Sequence, residues 1–148
     1  MQHCRKCPDA VAKIRGGVEV PKLSGCIRFY QQKGCVLIVA EIFGLPRENE
    51  TGFFGFHIHQ GESCSGTDFS ETGSHYNPVD QVHPKHAGDL PPLMCCRGNA
   101  YLAVKTDRFT VHDIIGKTVV IHSDPDDFHT QPAGNAGRKI ACGVICKG

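Results

Sequence analysis

Histidines are concentrated in the middle of this sequence. Five of its nine histidines lie between residues 57 and 89, within the motifs FHIHQG, SHYNP and VHPKHAGD. His57 and His59 are separated by one residue, so on an extended strand both side chains project from the same face. Two imidazoles on one face can bind a single transition-metal ion. The segment therefore predicts a metal site that begins on a strand.

Two sets of ligands can be assembled around that strand. His122 ends another apolar run, so it can join the first pair at one end of a sheet. The first set contains four imidazoles, His57, His59, His75 and His122. Four nitrogen ligands without a thiolate favour tetragonal Cu(II). The second set suits a closed tetrahedral Zn(II) site and contains His75, His83, His86 and Asp89. Sharing His75 between both ions requires a deprotonated, bridging imidazolate.

The elements that must position these ligands read as strands. Seventeen glycines, nine prolines and short apolar runs between turn residues favour an all-β sandwich or barrel. No convincing helix is predicted. About eight strands are predicted, at residues 10–14, 23–31, 35–43, 53–59, 99–105, near Phe109, 117–122 and 139–146. Segments 60–98 and 123–138 exceed the usual loop length, and each follows a histidine strand. They are therefore predicted to be two long functional loops.

The 148 residues correspond to one domain, predicted over residues 10–148, with residues 1–9 as a flexible N-terminal arm. The net charge of +1 gives no general attraction to nucleic acid or to a membrane surface. The N-terminus lacks an apolar signal region, and nine cysteines is an odd number that suits a reducing compartment. A cytoplasmic location is therefore expected, although a chain trimmed of its leader would look the same.

Four segments together resemble the copper/zinc superoxide dismutase family. They are GFHIH at residues 55–59, GSHYNP at 73–78, HAGD at 86–89 and GNAGRKIACGVI at 134–145. The resemblance extends from about Ala10 to Ile145. It implies an eight-stranded Greek-key β-barrel, and it implies an oxidoreductase that converts superoxide to dioxygen and hydrogen peroxide by Cu(II)/Cu(I) cycling.

The resemblance also implies individual roles. His57, His59, His75 and His122 are its copper ligands, and His75, His83, His86 and Asp89 its zinc ligands. Asp126 matches a carboxylate that links a zinc-ligand histidine to a copper-ligand histidine. Cys64 and Cys142 match a disulfide that ties the metal-bearing loop to the last strand. Superoxide is the implied substrate, and a homodimer and a copper donor are compatible partners.

The sequence departs from the family's pattern in two respects. Lys139 stands where the family has a substrate-guiding arginine, and Arg138 lies one place earlier. Both are candidates for substrate guidance, but a lysine is a compact point charge that lacks the planar donor fork of arginine. The segments around Cys64 and between Asp127 and Gly134 are also short compared with those of animal family members. Fewer charged residues are then available to steer an anion.

Two alternative functions follow from the same residues. His3, Cys4 and Cys7 provide soft ligands near the N-terminus, and thiolates favour Cu(I). This favours a copper-storing or copper-transferring protein on the same scaffold, with little turnover. A metal-stabilised structural module is a third reading, and it needs no open copper face. The remaining cysteines are interpreted as small packing residues or free thiols.

Overall fold

The structure, a computed structural model, describes residues 6–47 and 49–148, and its regular secondary structure consists almost entirely of antiparallel strands. The strands are β1 Ala10–Gly16, β2 Ser24–Gln32, β3 Cys35–Phe43, β4 Phe53–Phe54, β5 Phe56–His59, β6 Leu93–Met94, β7 Ala100–Thr106, β8 Thr118–His122 and β9 Lys139–Lys147. Two short helices accompany them, a 3-10 helix Thr67–Thr72 and the α-helix α1 Val111–Ile114.

The strands form a curled antiparallel sheet that makes up half of a barrel. Seven strands are hydrogen-bonded in the order β5-β8-β9-β1-β2-β3-β7, and β4 pairs with β6 in a second small sheet. Only Gly55 separates β4 from β5, and a bridge between Cys96 and Asn99 continues β6 toward β7. The two strands of the small sheet therefore lead along the chain into β5 and β7, the edge strands of the large sheet. The chain crosses from β3 through β4 to β5, and from β7 to β8, at the end of the barrel. Such connections between non-neighbouring strands are of the Greek-key kind. They confirm the predicted fold class.

Alternating residues explain why these strands face a common core. Along β3, Val36, Ile38, Ala40 and Ile42 are fully buried, while their neighbours are partly exposed. The same strand pairs with β2 on one side and with β7 on the other. Its period of two therefore fixes which side chains enter the barrel. The largest buried side chains include Phe29, Phe54 and Phe56, and the last two lead directly into the histidine strand.

The predicted strand near Phe109 is wrong. Phe109 is buried just before α1, whose N-cap Thr110 forms a reciprocal capping box with Asp113. The cap satisfies backbone donors locally, so the segment forms one helical turn instead of pairing with a strand. The expectation of no helix is therefore also wrong. In the described part of the chain, no helix has the length and apolar character needed to cross a membrane.

The predicted N-terminal arm is described from Lys6 onward. The Lys6 ammonium donates to the Gln31 carbonyl at 3.1 Å, and Asp9 accepts a hydrogen bond from the Gln31 amide at 2.7 Å. Cys7 is an exposed free cysteine. His3 and Cys4, the other members of the predicted soft-ligand segment, lie outside the described residues. The arm therefore contacts the end of β2 where it can be followed.

Candidate metal centre

Two neighbouring strands carry three of the copper-side histidines. β5 pairs with β8 so that His57 lies opposite Val120 and His59 opposite Thr118. His122 ends β8 at a register irregularity that follows Ile121, and such bulges re-aim side chains. His75 comes from the long loop and forms an isolated bridge with His59. The barrel thus brings the four predicted copper ligands to one place.

The four imidazoles form a compact buried cluster. One nitrogen from each ring lies within 4.8 Å of one nitrogen from every other ring. The Nε2 atoms of His59 and His122 are 3.2 Å apart. All four side chains are buried, and none of these residues is more than 4% exposed. Buried nitrogens at this spacing could each direct a lone pair at a single ion.

Hydrogen bonds fix which nitrogen of each ring remains available. His57 donates through Nε2 to Asp126 Oδ2 at 2.7 Å, and His59 donates through Nδ1 to the Gly73 carbonyl at 2.8 Å. Nδ1 of His57 and Nε2 of His75 are buried without a hydrogen-bond partner among the described residues. A buried polar atom without a partner is unfavourable unless something else binds it. These atoms therefore fit metal ligation.

The surroundings of His57, His59 and His122 favour their neutral imidazoles. Burial lowers the pKa of His57, and it lowers that of His59 well below the usual value, with further lowering from His122 and His75. Burial, with the nearby His57 and His75 rings, lowers the pKa of His122 to about 3. Imidazole must be neutral to bind a metal. These three imidazoles therefore do not have to release a proton when a metal ion binds at neutral pH.

The second ligand set surrounds the carboxylate of Asp89. Its Oδ1 lies 2.7 Å from His75 Nδ1, and its Oδ2 lies 3.0 Å from His83 Nδ1 and 3.1 Å from His86 Nδ1. His83 Nδ1 forms no aligned hydrogen bond within the described residues despite its short distance to the carboxylate. Three imidazole nitrogens and one carboxylate oxygen within 4.8 Å of one another fit a tetrahedral zinc site.

Gly88 allows the zinc-side loop to lie against β5. The Ile58 amide donates to the Gly88 carbonyl at 2.9 Å, and the Gly88 amide donates to the Tyr76 carbonyl at the same distance. A Cβ atom at Gly88 would lie 2.2 Å from the Ile58 carbonyl oxygen, which is closer than real contacts allow. The glycine of the HAGD motif therefore permits the approach that brings Asp89 beside His75.

Asp126 connects the two ligand sets. Its Oδ2 accepts from His57, and its Oδ1 accepts from His83 Nε2 at 2.8 Å and from the Phe128 amide at 2.7 Å. Burial alone would raise the pKa of this carboxyl, but the hydrogen bonds from both histidines hold it well below its usual value. A Cβ atom at Gly134, where φ is +68°, would lie 2.1 Å from Oδ1. The carboxylate therefore sits under a turn that requires glycine.

The predicted disulfide between Cys64 and Cys142 is confirmed. It joins the loop after β5 to β9 across a sequence separation of 78 residues. The same loop returns along its own start, since the Gly61 amide donates to the Thr72 carbonyl at 2.8 Å. Gly73 and His75 follow directly. The disulfide therefore anchors the loop that supplies the shared histidine.

The two candidate guiding cations have different surroundings. The Lys139 ammonium donates to Thr72 Oγ1 at 2.8 Å and to the Gly73 carbonyl at 3.0 Å, the same carbonyl that binds His59. Partial burial lowers its pKa. Arg138 is exposed and pairs with Glu19 on the surface. Lys139 therefore lies next to a copper-side ligand, whereas the substrate-guiding role of either residue stays a prediction.

The Greek-key β-fold holds two adjacent ligand sets, one of four imidazoles and one of three imidazoles and a carboxylate. One histidine, His75, belongs to both sets. These features define a β-barrel protein with two adjacent metal sites. Residues 23–145 match the profile described as copper/zinc superoxide dismutase (SODC). This chain belongs to the copper/zinc superoxide dismutase family.

Individual relatives agree with that assignment. Over 154 aligned residues the chain is 35% identical to superoxide dismutase (Cu-Zn) 3 of Arabidopsis thaliana, covering 92% of this chain and 88% of the relative. It is 38% identical over 125 residues to superoxide dismutase (Cu-Zn) 2 of Aquifex aeolicus, covering 74% and 71%. It is 31% identical over 162 residues to superoxide dismutase (Cu-Zn) of Onchocerca volvulus, covering 95% and 96%.

Two residues near the zinc-side set were missed by sequence reasoning. Gln131 hydrogen-bonds the backbone of His83, and Arg108 hydrogen-bonds backbone carbonyls between residues 84 and 89. Neither belongs to a metal-ligand motif, and both are distant in sequence from what they bind. Only the folded arrangement of the loops reveals them.

Proposed function

We infer that this chain is a superoxide dismutase: two superoxide anions and two protons yield dioxygen and hydrogen peroxide. The observation that carries this function is the position of His75. Its Nδ1 lies among the zinc-side ligands, 2.7 Å from Asp89, while its buried Nε2 has no partner among the described residues and remains for the copper side. One ring can thus serve both ligand sets, as the family resemblance implies.

The residues of the chain divide the remaining tasks. When bound, copper supplies the one-electron oxidation and reduction, and zinc supplies a fixed positive charge that orients the shared ring. His57, His59 and His122 present neutral nitrogens from the strands, and Asp126 holds His57 and His83 in defined tautomers. His75 can carry a proton at Nε2, the atom nearest the reacting side.

We further propose that Lys139 attracts the anionic substrate. Its ammonium is held beside the copper-side ligands by Thr72 and Gly73, so a positive charge is fixed where superoxide must arrive. A local cation raises the rate at which a small anion encounters its site. Arg138 pairs with Glu19, so its charge is partly neutralised and its contribution is expected to be smaller.

The direct test is the rate of superoxide decay with protein loaded with copper and zinc. We expect rapid decay by the parent and a loss of the copper EPR signature of the bridged site in His75→Ala. His129→Ala changes an exposed histidine outside both sets and serves as the control. Stoichiometric copper without superoxide decay would reject the enzyme and would favour the copper-storing or copper-transferring alternative.

The predicted homodimer, copper donor and cytoplasmic location remain proposals. Support for the homodimer comes from Phe43 and Tyr101, which are 52% and 67% exposed at diagonal positions on the outer face of β3 and β7. Exposed apolar side chains that neighbour one another are common at protein interfaces. Sedimentation of the parent beside Tyr101→Lys would test it, since a dimer through this face should be weakened by the added charge.

A further inference from the structure

Gln131 grips the backbone of His83 through both of its polar groups. The side-chain Oε1 accepts from the His83 amide at 2.9 Å, and Nε2 donates to the His83 carbonyl at 2.7 Å. This is the pairing that a residue on a neighbouring strand would otherwise provide. Nε2 also donates to the His129 carbonyl at 3.0 Å, which ties the amide to its own loop. One side chain thus replaces a missing strand partner.

Arg108 holds the next part of the same segment. Its Nη1 donates to the Pro84 carbonyl at 2.9 Å and to the His86 carbonyl at 3.0 Å, with a weaker contact to the Asp89 carbonyl at 3.5 Å. The guanidinium comes from the chain just after β7, whereas Gln131 comes from the loop after β8. Residues 83–89 are therefore held by side chains that contact their backbone and leave their ligand atoms free.

These contacts complement the hydrogen bond that His83 Nε2 donates to Asp126. That carboxylate fixes the ring of His83, whereas Gln131 fixes its peptide groups, and both residues belong to the loop after β8. His83 and His86 are 2% and 7% exposed, so their positions depend on neighbouring protein groups. Gly88 and Asp89 lie against β5, whereas residues 83–86 form no backbone hydrogen bond to a strand among the described residues. Residues 83–86 therefore need such side-chain contacts if their ligand geometry is to exist before the metal binds.

We propose that Gln131 and Arg108 are positioning residues that hold residues 83–89 in ligand geometry, and that they thereby raise zinc affinity and slow zinc release. The inference rests on the zinc assignment proposed above. Removing an outer contact of a metal ligand typically lowers affinity by about 10–100-fold, and these two act through the backbone, so we expect about tenfold for each.

The charge of Arg108 allows a positioning role to be distinguished from an electrostatic role. A cation near a zinc ion repels it, so a residue that acted only through its charge would strengthen zinc binding when removed. A residue that positions the ligands would weaken binding when removed. The two mechanisms therefore predict opposite signs for Arg108→Met. Gln131 is neutral, so Gln131→Met, which keeps a similar length and removes both hydrogen bonds, isolates positioning alone.

The experiment measures zinc affinity by chelator competition, zinc release rate, and the visible spectrum of Co(II) bound at the zinc side. Gln131→Met and Arg108→Met are expected to weaken zinc binding and to alter the Co(II) spectrum, with Arg108→Lys intermediate because lysine lacks the planar fork. His129→Ala, in the same loop, and Lys105→Met, an exposed cation on β7, are the matched controls. Copper affinity should stay within about twofold in all variants, since the strand ligands lie outside the held segment.

Several results would overturn the proposal. Zinc affinity in Gln131→Met within about twofold of the parent would remove Gln131 from the argument. Tighter zinc binding by Arg108→Met would assign Arg108 an electrostatic role instead. Equal losses of copper and zinc affinity would indicate general destabilisation. A parent that binds copper but no zinc would refute the zinc assignment itself, and this result is distinguishable because it appears before any variant is compared.

Discussion

The two halves of the metal centre are positioned by different means. On the copper side, His57, His59 and His122 stand on hydrogen-bonded strands, so the backbone ladder of β5 and β8 sets their spacing. On the zinc side, residues 83–89 follow one another through an irregular loop, and side chains from elsewhere hold their backbone. The strand half is thus built by the fold, whereas the loop half is built by a few specific contacts. Single substitutions should therefore affect the loop half more.

Among the substitutions, the largest expected effect comes from the disulfide, which anchors the copper-side ligand that lies outside the strands. Replacing Cys64 and Cys142 by alanine should lower the free energy of unfolding by about 4 kcal/mol, because a closed loop of this length restricts the unfolded chain strongly. Urea unfolding of the metal-free protein measures it. Cys146→Ser, an exposed free cysteine on the same strand, should change stability by no more than about 0.5 kcal/mol. An unchanged unfolding midpoint in the double variant would contradict the prediction.

Asp126 provides the next test, because it is bound to one histidine from each half. Asp126→Ala should lower zinc affinity by about 10–100-fold and copper affinity by less, since strand pairing still holds His57 while His83 loses its ring partner. Competition titrations for both metals measure the difference. Asp107→Ala removes an exposed carboxylate and serves as the control. Equal losses on the two sides would break the contrast between strand and loop.

In the metal-free protein, the copper-side histidines and the zinc-side carboxylate should affect stability at different pH values. The pKa of His122 is about 3 in the folded chain against an ordinary 6.5, so below pH 6.5 the unfolded state binds a proton that the folded state excludes. Stability should then fall by about 1.4 kcal/mol per pH unit for this group as pH decreases toward 3. His57 and His59 act in the same direction because their pKa values are lowered by burial.

The zinc-side carboxylate should respond at lower pH. Burial alone would raise the pKa of Asp89, but hydrogen bonding to His75 and the neighbouring histidines lowers it below 3.8. Its contribution to stability is therefore present above pH 3.8 and is lost only as pH falls through the lowered value. Unfolding free energies measured from pH 7.5 down to about 2, for the parent and for His122→Gln, would test the order. A flat profile between pH 7 and 5 would show that the copper-side histidines do not titrate as expected.

The smallest expected effect concerns Lys139, which joins the disulfide loop to the copper side. Lys139→Glu should slow superoxide decay by about tenfold and weaken or reverse its dependence on salt, because a guiding cation becomes an anion. Lys139→Arg should keep or raise activity, and Arg138→Ala should change it less, given the pairing with Glu19. Decay rates against ionic strength at equal copper content measure this. Identical rates for Lys139→Glu and the parent at every salt concentration would exclude guidance by Lys139.

Much of the strand half could be predicted from the sequence. Alternation along residues 35–43 and the single-residue spacing of His57 and His59 are local patterns, and a strand converts them directly into burial and ligand direction. The motif around Asp89 likewise located the zinc side, because its residues are close in sequence. The resemblance to the family then supplied the pairing of Cys64 with Cys142, which no local pattern contains.

The contacts that support the loop half could not be predicted in this way. Gln131 meets His83 across 48 residues, and Arg108 meets His86 across 22, and each uses an ordinary polar side chain against backbone atoms. A side chain that hydrogen-bonds a peptide group can do so at any residue type, because every residue has the same backbone groups. The sequence therefore does not show which residue it contacts. The one-turn helix after Phe109 and the two-residue strand β6 were missed because segments so short lack a measurable period.

The carboxylate of Asp126 also has a thermodynamic consequence. Because one of its oxygens holds His57 and the other holds His83, the occupancy of either half is linked to the other through a common group. Any factor by which filling one half changes the affinity of the second must operate equally in reverse. With favourable coupling, a limited metal supply would be divided between empty and fully loaded chains, and half-loaded chains would be scarce. Cooperative loading of this kind would limit how much protein carries copper without its zinc.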